Sequence, residues 1–238
     1  MSRRVVFGCV LLIIAACSSA PVEQQLLTVF FRAARAGDNT TLANLATVEF
    51  DPKTNGSVAQ FTVSNIGEQQ HRTVEIQQLT EAVSKARKDR DTFTQEQQAY
   101  LTANAVALDR IAKAQRARQP IRGKDAEILT AYSRRVGDGK TYEEKFSEAL
   151  TRESIDRAAA AGSLTAPGRN AVDISGMSVD IITEPVTISA QLTSPGGQTS
   201  TQTLVVTLLR AVGKKADQTT EGRWLVTGVT PQGAAPKS

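Results

Sequence analysis

Cysteine and histidine are almost missing from this chain. Its two cysteines, Cys9 and Cys17, fall near the start of 238 residues, and His71 is the sole histidine. From Ser18 onward there is no thiol for a disulfide, a redox cycle or a metal. Zinc sites built from several Cys or His ligands are therefore excluded, and any Ser-His-acid triad has to use His71. Phosphate loops of the Gly-x-x-x-x-Gly-Lys type, the dinucleotide fingerprint and the His-Glu-x-x-His zinc helix are absent too. Gly176-Met177-Ser178-Val179-Asp180 lacks the second glycine of a nucleophile elbow. Neither a cofactor nor a metal is expected. No apolar run approaches the roughly 20 residues that a spanning helix needs. Charge of one sign is not in excess either: 28 basic residues face 24 acidic ones, and 26 face 24 once Arg3 and Arg4 are set aside. Nothing in that balance demands nucleic acid as a partner. With 40% hydrophobic and 22% charged residues, the composition is that of a globular protein.

What is present begins at the N-terminus. Arg3 and Arg4 precede an apolar run over residues 5–16, which closes on small residues before Cys17. A charged start, a short apolar middle and a small-residue exit predict a secretory signal peptide over residues 1–16. Ile14-Ala15-Ala16-Cys17 also resembles the lipobox of bacterial lipoproteins. The resemblance implies cleavage before Cys17 and a diacylglyceryl thioether on its sulfur, usually with an acyl chain on the new amino group. The membrane then becomes a partner through lipid on Cys17. Each buried methylene contributes about 0.8 kcal/mol, and two or more chains hold where one is marginal. Residues 17–21 form a short lipidated tether, which keeps the folded part close to the bilayer. Ser18 is not the aspartate that retains many such lipoproteins at the inner membrane. The expected location is the cell envelope, on the outer membrane facing the periplasm in a two-membrane cell.

The mature part reads as α+β. Residues 22–36 predict an amphipathic helix, with Leu26, Val29, Phe30 and Ala33 at helical spacing and Gly37 placed to end it. Asp38 or Asn39 can cap a second, short helix through Leu42 and Leu45. Residues 47–50 and 58–63 predict paired strands, joined by the Pro52 and Asn55-Gly56 turn signals. A third extended piece is expected over residues 72–76. The stretch Val29-Phe30-Phe31-Arg32-Ala33-Ala34-Arg35-Ala36-Gly37-Asp38 is similar to the opening of the nuclear transport factor two-like superfamily. Gly222-Arg223-Trp224-Leu225-Val226-Thr227-Gly228-Val229 resembles its last strand. Such a resemblance implies a curved sheet wrapped by helices around a conical cavity.

The middle departs from that pattern. Residues 79–162 are rich in Ala, Gln, Glu, Arg and Lys, and Phe93, Tyr100, Ala107, Ile111 and Ala114 recur at spacings of four and seven. Gln119-Pro120 and Gly123 interrupt this stripe. A second stripe follows with Ile128, Leu129, Tyr132, Val136, Phe146 and Leu150. Gly137-Asp138-Gly139 is expected to break or kink it, Thr141 and Glu144 fitting a capping box that restarts a helix, and Gly162 to stop it. Two helices of about 40 residues would make an antiparallel hairpin roughly 60 Å long. Residues 185–192 alternate as a half-buried strand should, Ser194-Pro195-Gly196-Gly197 turns the chain, and residues 203–209 return. Residues 216–222 connect to the final strand. The expected organisation is an N-terminal helix packed on a curved antiparallel sheet, with a long antiparallel helical hairpin inserted between early and late strands. Residues 22–78 and 163–230 make the α+β domain, residues 79–162 the hairpin insertion, and residues 231–238 a loose tail.

Few residues point to chemistry. Cys17 carries the one specific assignment, lipidation. His71 lies in the polar stretch Gln69-Gln70-His71-Arg72, with no serine or carboxylate at informative spacing, and is expected on the surface at a strand start. The nuclear transport factor two-like resemblance brings in ketosteroid isomerases and polyketide cyclases. An isomerase site needs a carboxylate base, a tyrosine and a neutral aspartic acid. Tyr100, Tyr132 and Tyr142 all fall in the helical middle. The sheet region offers Asp51, Asp173 and Asp180, of which Asp180 beside Ile181 and Ile182 is the one to test, although a solvent-facing position is expected. Trp224 is a candidate for lining a ligand cavity, against core packing in the last strand. Two basic clusters, Lys85 to Arg90 and Arg110 to Lys124, are interleaved with Asp89, Asp91 and Asp109, as solvated helix faces are. The expected function is that of a non-enzymatic, lipid-anchored envelope lipoprotein binding another envelope protein or envelope component. The alternatives are a carrier or sensor of a small hydrophobic ligand in a cone-shaped cavity and, remotely, a cyclase or isomerase.

Overall fold

The computed structural model describes residues 20–233. The expected leader, the expected lipidation site Cys17, and the ends of the tether and tail lie outside the described residues. The chain opens with α1 (Val22–Ala36), which buries Leu27, Phe30, Phe31, Ala33 and Ala34. The buried stripe is centred one residue later than the expected Leu26–Val29 line, because the Phe30–Phe31 pair points into the sheet. Gly37 takes the left-handed conformation (φ 66°). Its N–H bonds Ala34 O and that of Asp38 bonds Ala33 O, so the helix ends in a Schellman motif. Asp38 at once caps α2 (Asn39–Leu45), its Oδ1 accepting from Thr41 N at 3.0 Å. Hydrogen bonds from Thr41 pull the Asp38 carboxyl below the usual carboxylate range.

No strand forms over residues 47–50. Thr47 N donates to Val226 O at 2.9 Å, and the segment then spends its apolar residue Phe50 inside the core. Residues 51–56 do not make a hairpin turn either. Asp51 caps a single helical turn, α3 (Pro52–Asn55), by accepting from Lys53 N at 2.9 Å, with Pro52 in the first turn. The Asp-Pro start outweighs the Asn-Gly turn signal, and the strand that follows pairs with a partner far along the chain.

That partner belongs to two long strands, β3 (Ser178–Thr193) and β4 (Thr199–Lys215), which pair along their whole length. Each carries two shorter strands end to end on its free edge. β1 (Ser57–Ile66) and then β2 (Gln70–Glu75) line β3. β6 (Leu225–Pro231) and β5 (Gln218–Glu221) line β4. All these pairings are antiparallel and the sheet curls, helped by bulges in β1 and at the β4–β6 pairing. β5 was expected to be a plain connection; its four residues are all exposed and give no alternating pattern to read. β6 takes in Pro231, the first residue of the expected tail, and Gln232 N still bonds Thr203 O at 2.9 Å.

Side chains of a strand alternate between faces, and this sheet buries different faces at its two ends. Val186, Ile188 and Ala190 of β3, with Leu204, Val206 and Leu208 of β4, meet α1 in one core. Phe30, Phe31, Phe50 and Phe61 cluster there, with ring centroids 5.1–5.9 Å apart. Val179 and Ile181, with Leu209 and Ala211, sit at the opposite parity and form a second core under the later helices. Burial of each Val, Leu, Ile or Phe among them contributes about 1.5–3 kcal/mol.

Those helices are α4 (Ile76–Ala103), α5 (Ala105–Arg116) and α6 (Lys124–Leu164). α4 follows β2 without a loop. The expected first 40-residue helix is broken at Asn104, whose side-chain amide donates to Tyr100 O at 2.9 Å. α6 runs straight through Gly137-Asp138-Gly139 and past Gly162. An interior glycine costs about 1 kcal/mol but removes no backbone hydrogen bond. Gly139 has a packing reason: an ideal Cβ there would lie 3.1 Å from Phe93, which stacks on Tyr142 at 4.9 Å between centroids. Thr141 does not restart the helix; its Oγ1 reaches back to Gly137 O at 3.4 Å. Contacts between the helices descend in one as they rise in the other: Thr80 with Glu153, Arg90 with Glu143, Tyr100 with Ile128.

Two polar joints fasten α6 to the sheet. Arg72 of β2 grips Asp156 through both carboxylate oxygens, at 2.9 and 2.7 Å. At the far end Arg223 donates to Thr165 O (3.2 Å), Gly162 O (3.0 Å) and Asn44 O, so one guanidinium serves the C-terminal ends of both α6 and α2. Burial holds its pKa below the ordinary guanidinium value. The neighbouring Gly222 admits no side chain, since a Cβ would fall 2.7 Å from Ala211 O.

Candidate functional site

The face of the sheet that carries the α1 core continues past that core into a polar row. Register places it: His71 lies opposite Ile182 and Thr73 opposite Asp180, while Arg210 lies opposite Ile182 from the other side and Leu208 opposite Glu184. Asp180, Ile182 and Glu184 share one parity on β3 and therefore one face. Flanking strands supply His71 from β2 and Arg210 from β4.

The pairing brings His71 to Asp180, with Nδ1 2.8 Å from Oδ2, although 109 residues separate them. The imidazole side chain is 54% exposed at the start of β2, a surface placement. No carboxylate stands at informative spacing from it in the sequence, and strand pairing supplies one from the far half of the chain. Asp180 does not simply face solvent: Oδ2 is engaged, and Oδ1 is buried without a hydrogen-bond partner among the described residues. An imidazole oriented by a carboxylate can move a proton. Among the described residues, no hydroxyl nucleophile lies within hydrogen-bonding distance of its ring.

Glu184 is the residue that the sequence reading passed over. It is 3% exposed, and its Oε2 accepts from Gln69 Nε2 at 2.6 Å. Its Oε1 is buried and has no hydrogen-bond partner among the described residues, and the same holds for Arg210 Nε. Arg210 lies over Trp224, 5.1 Å from the ring, and reaches Glu221 at 3.7 Å. Trp224 itself packs against the α1 core. Of the two candidates singled out in the sequence, Trp224 stacks under Arg210, and Asp180 shares the sheet face two residues along β3 from Ile182, which pairs with Arg210. A buried polar atom without a partner costs about 1–3 kcal/mol, and three such atoms, Asp180 Oδ1, Glu184 Oε1 and Arg210 Nε, belong to this row. A readable signal existed for Glu184: it holds the inward parity of Val186, Ile188 and Ala190.

The remaining candidates lie elsewhere. Tyr100 and Tyr142 are spent within the helices, Tyr100 donating to Ile128 O at 2.9 Å and Tyr142 stacking on Phe93. Tyr132 is on α6. Asp51 caps α3, and Asp173 accepts from Ser175 N at 3.0 Å. The basic clusters are paired in part, Lys85 to Asp89, Arg90 to Asp91, Lys113 to Asp109 and Arg110 to Asp125. Among the described residues no group of three or more metal-ligating side chains assembles, and no helix is long and apolar enough to cross a membrane. Comparison with protein-family models, with curated proteins and with solved structures finds no match.

Proposed function

We propose that this chain is a non-enzymatic, lipid-anchored envelope lipoprotein, which presents a helical hairpin inserted in an α+β domain to another envelope component. One observation carries this reading: neither hydrophobic core takes a residue between Leu79 and Ala159. Most of α4, all of α5 and most of α6 are therefore not needed to cover the sheet. Their aromatic residues are used between the helices, as in Phe93 on Tyr142 and Arg90 over Phe146. That leaves a long polar surface free to meet a partner. The lipobox-like Ile14-Ala15-Ala16-Cys17 supports the anchor, and the start of α1 at Val22 supports a position close to the bilayer.

The test is a crosslinking pull-down of the native protein from its own membranes, beside two variants. Removal of residues 94–139, with Phe93 joined to Lys140 through a short glycine linker, spares Arg72–Asp156 and both cores, and is expected to abolish partner capture. Cys17→Ser is expected to release the protein from the membrane fraction. Capture of the same partner by the trimmed chain would overturn the role of the hairpin, and full membrane retention of Cys17→Ser would overturn the anchor.

A further inference from the structure

A groove of about 620 Å³ lies between α1 and the edge strand β1, against the Phe31 and Phe61 members of the aromatic cluster. Its walls carry Arg32 and Arg35 from α1, the rings of Phe31 and Phe61 at its base, and neutral donors that include Thr28 and Gln191. No carboxylate lines it among the described residues. Arg32 and Arg35 are exposed, and neither has a carboxylate within ion-pair distance among the described residues. Three residues apart on one helix, they share a face.

Local backbone geometry fixes one of these guanidiniums. The β1–β3 register skips Ala59, which is bulged out between Val58 and Gln60. Arg35 Nη1 donates to the carbonyl of that bulged residue at 3.2 Å. Bulges re-aim groups beside binding sites, and here one turns a carbonyl toward α1 and so orients Arg35. A single bond to a neutral carbonyl leaves the other donors of the fork, and all of its charge, uncompensated. The volume lies within the range of small-molecule sites.

We propose that this groove binds an anion of the phosphoryl class, gripped by the forks of Arg32 and Arg35, with the neutral donors holding the polar remainder of the ligand. Planar guanidiniums match phosphate oxygens two at a time, which an ammonium cannot do. The phosphoryl group can belong to a soluble phosphate or to a lipid headgroup. The proposal stands apart from the hairpin reading and from the anchor at Cys17.

The experiment uses the full chain in nonionic detergent and follows the Nε–Hε NMR signals of Arg32 and Arg35. One arm adds inorganic phosphate, a second glycerol phosphate, and a third mixed micelles containing phosphatidylglycerol. Saturable shifts in the first two arms identify a soluble ligand, and shifts confined to the third identify a headgroup. Arg32→Gln with Arg35→Gln is expected to weaken binding by about tenfold or more, and Arg32→Lys with Arg35→Lys to recover only part of it. Lys140→Gln with Lys214→Gln removes the same charge elsewhere and is expected to change nothing. Absence of shifts in all three arms would overturn the proposal. So would equal weakening by the control pair, or unweakened binding by the Arg→Gln pair.

Discussion

Removing Arg72 strips the partner from a carboxylate that has almost no water, whereas removing the carboxylate leaves a cation that has plenty. The side chains of Arg72 and Asp156 are 50% and 5% exposed. The bidentate pair holds the Arg72 guanidinium above its ordinary pKa, chiefly through its hydrogen bonds to Asp156. In Arg72→Met the buried carboxylate keeps only Arg152, whose Nε stands 4.0 Å away. Breaking a buried pair in this way costs about 3–5 kcal/mol, and the proximity of Arg152 places this case near 3. In Asp156→Asn the half-exposed guanidinium recovers water and one acceptor, so the loss is about 1 kcal/mol. Replacing both partners, Arg72→Met with Asp156→Leu, removes the buried charge altogether and is expected within about 1 kcal/mol of the parent. The assay is urea unfolding of the full chain at neutral pH, comparing midpoints at unchanged slope. An Asp156→Asn variant as damaged as Arg72→Met would refute the reasoning, because the asymmetry follows from burial of the anion alone.

Two of the glycines of α6, Gly137 and Gly139, make an internal comparison. Gly137 has no atom within 4 Å of an added Cβ, so Gly137→Ala is expected to stabilise by about 0.5–1 kcal/mol. Gly139→Ala meets Phe93 at 3.1 Å and is expected to lose that gain or reverse it, unfolding midpoints reporting both; equal gains would mean that Phe93 does not sit against Gly139. At the α5–α6 end, the side-chain hydrogen bond from Arg110 pulls Asp125 below the usual carboxylate range. A depressed folded-state pKa contributes stability above the unfolded value, lost as pH falls through the folded one. Amide protection at this end is therefore expected to persist through the ordinary carboxylate range and fade only below it. In Arg110→Gln the Asp125 carboxyl is expected to titrate higher by NMR, and an unmoved titration would exclude the pair as the cause.

What the sequence made legible was local. Gly37-Asp38 ends one helix and caps the next within two residues, and no distant partner is needed to read it. The turn at residues 194–197 and the break near Gln119-Pro120 are of the same kind. Two misreadings were local, the Asp51 cap that turns residues 52–55 into α3 and the Asn104 side chain that ends α4, but the others arose where the deciding contact lay far away in the chain. Gly137-Asp138-Gly139 looks like a break until Phe93 is set opposite Gly139. Residues 47–50 look like a strand until Val226 and the aromatic cluster are set beside them. His71 looks isolated because Asp180 stands 109 residues later, and the Arg72–Asp156 joint spans 84. Glu184 is an intermediate case: its parity was readable, but a strand taken to begin at Pro185 left it outside.

The change of buried face along β3 and β4 has a consequence for folding fidelity. In a sheet with one covered side, a slip of a single residue turns one whole apolar row out to solvent. Here the same slip would expel Val186, Ile188 and Ala190 from beneath α1 and Val179 and Ile181 from beneath α6 together. Neither set would find a new cover, because each helical layer spans only its own end. Misaligned pairings of these two strands therefore lack any partly rewarded minimum, and the alignment Val186↔Val206 is proof-read from both ends at once.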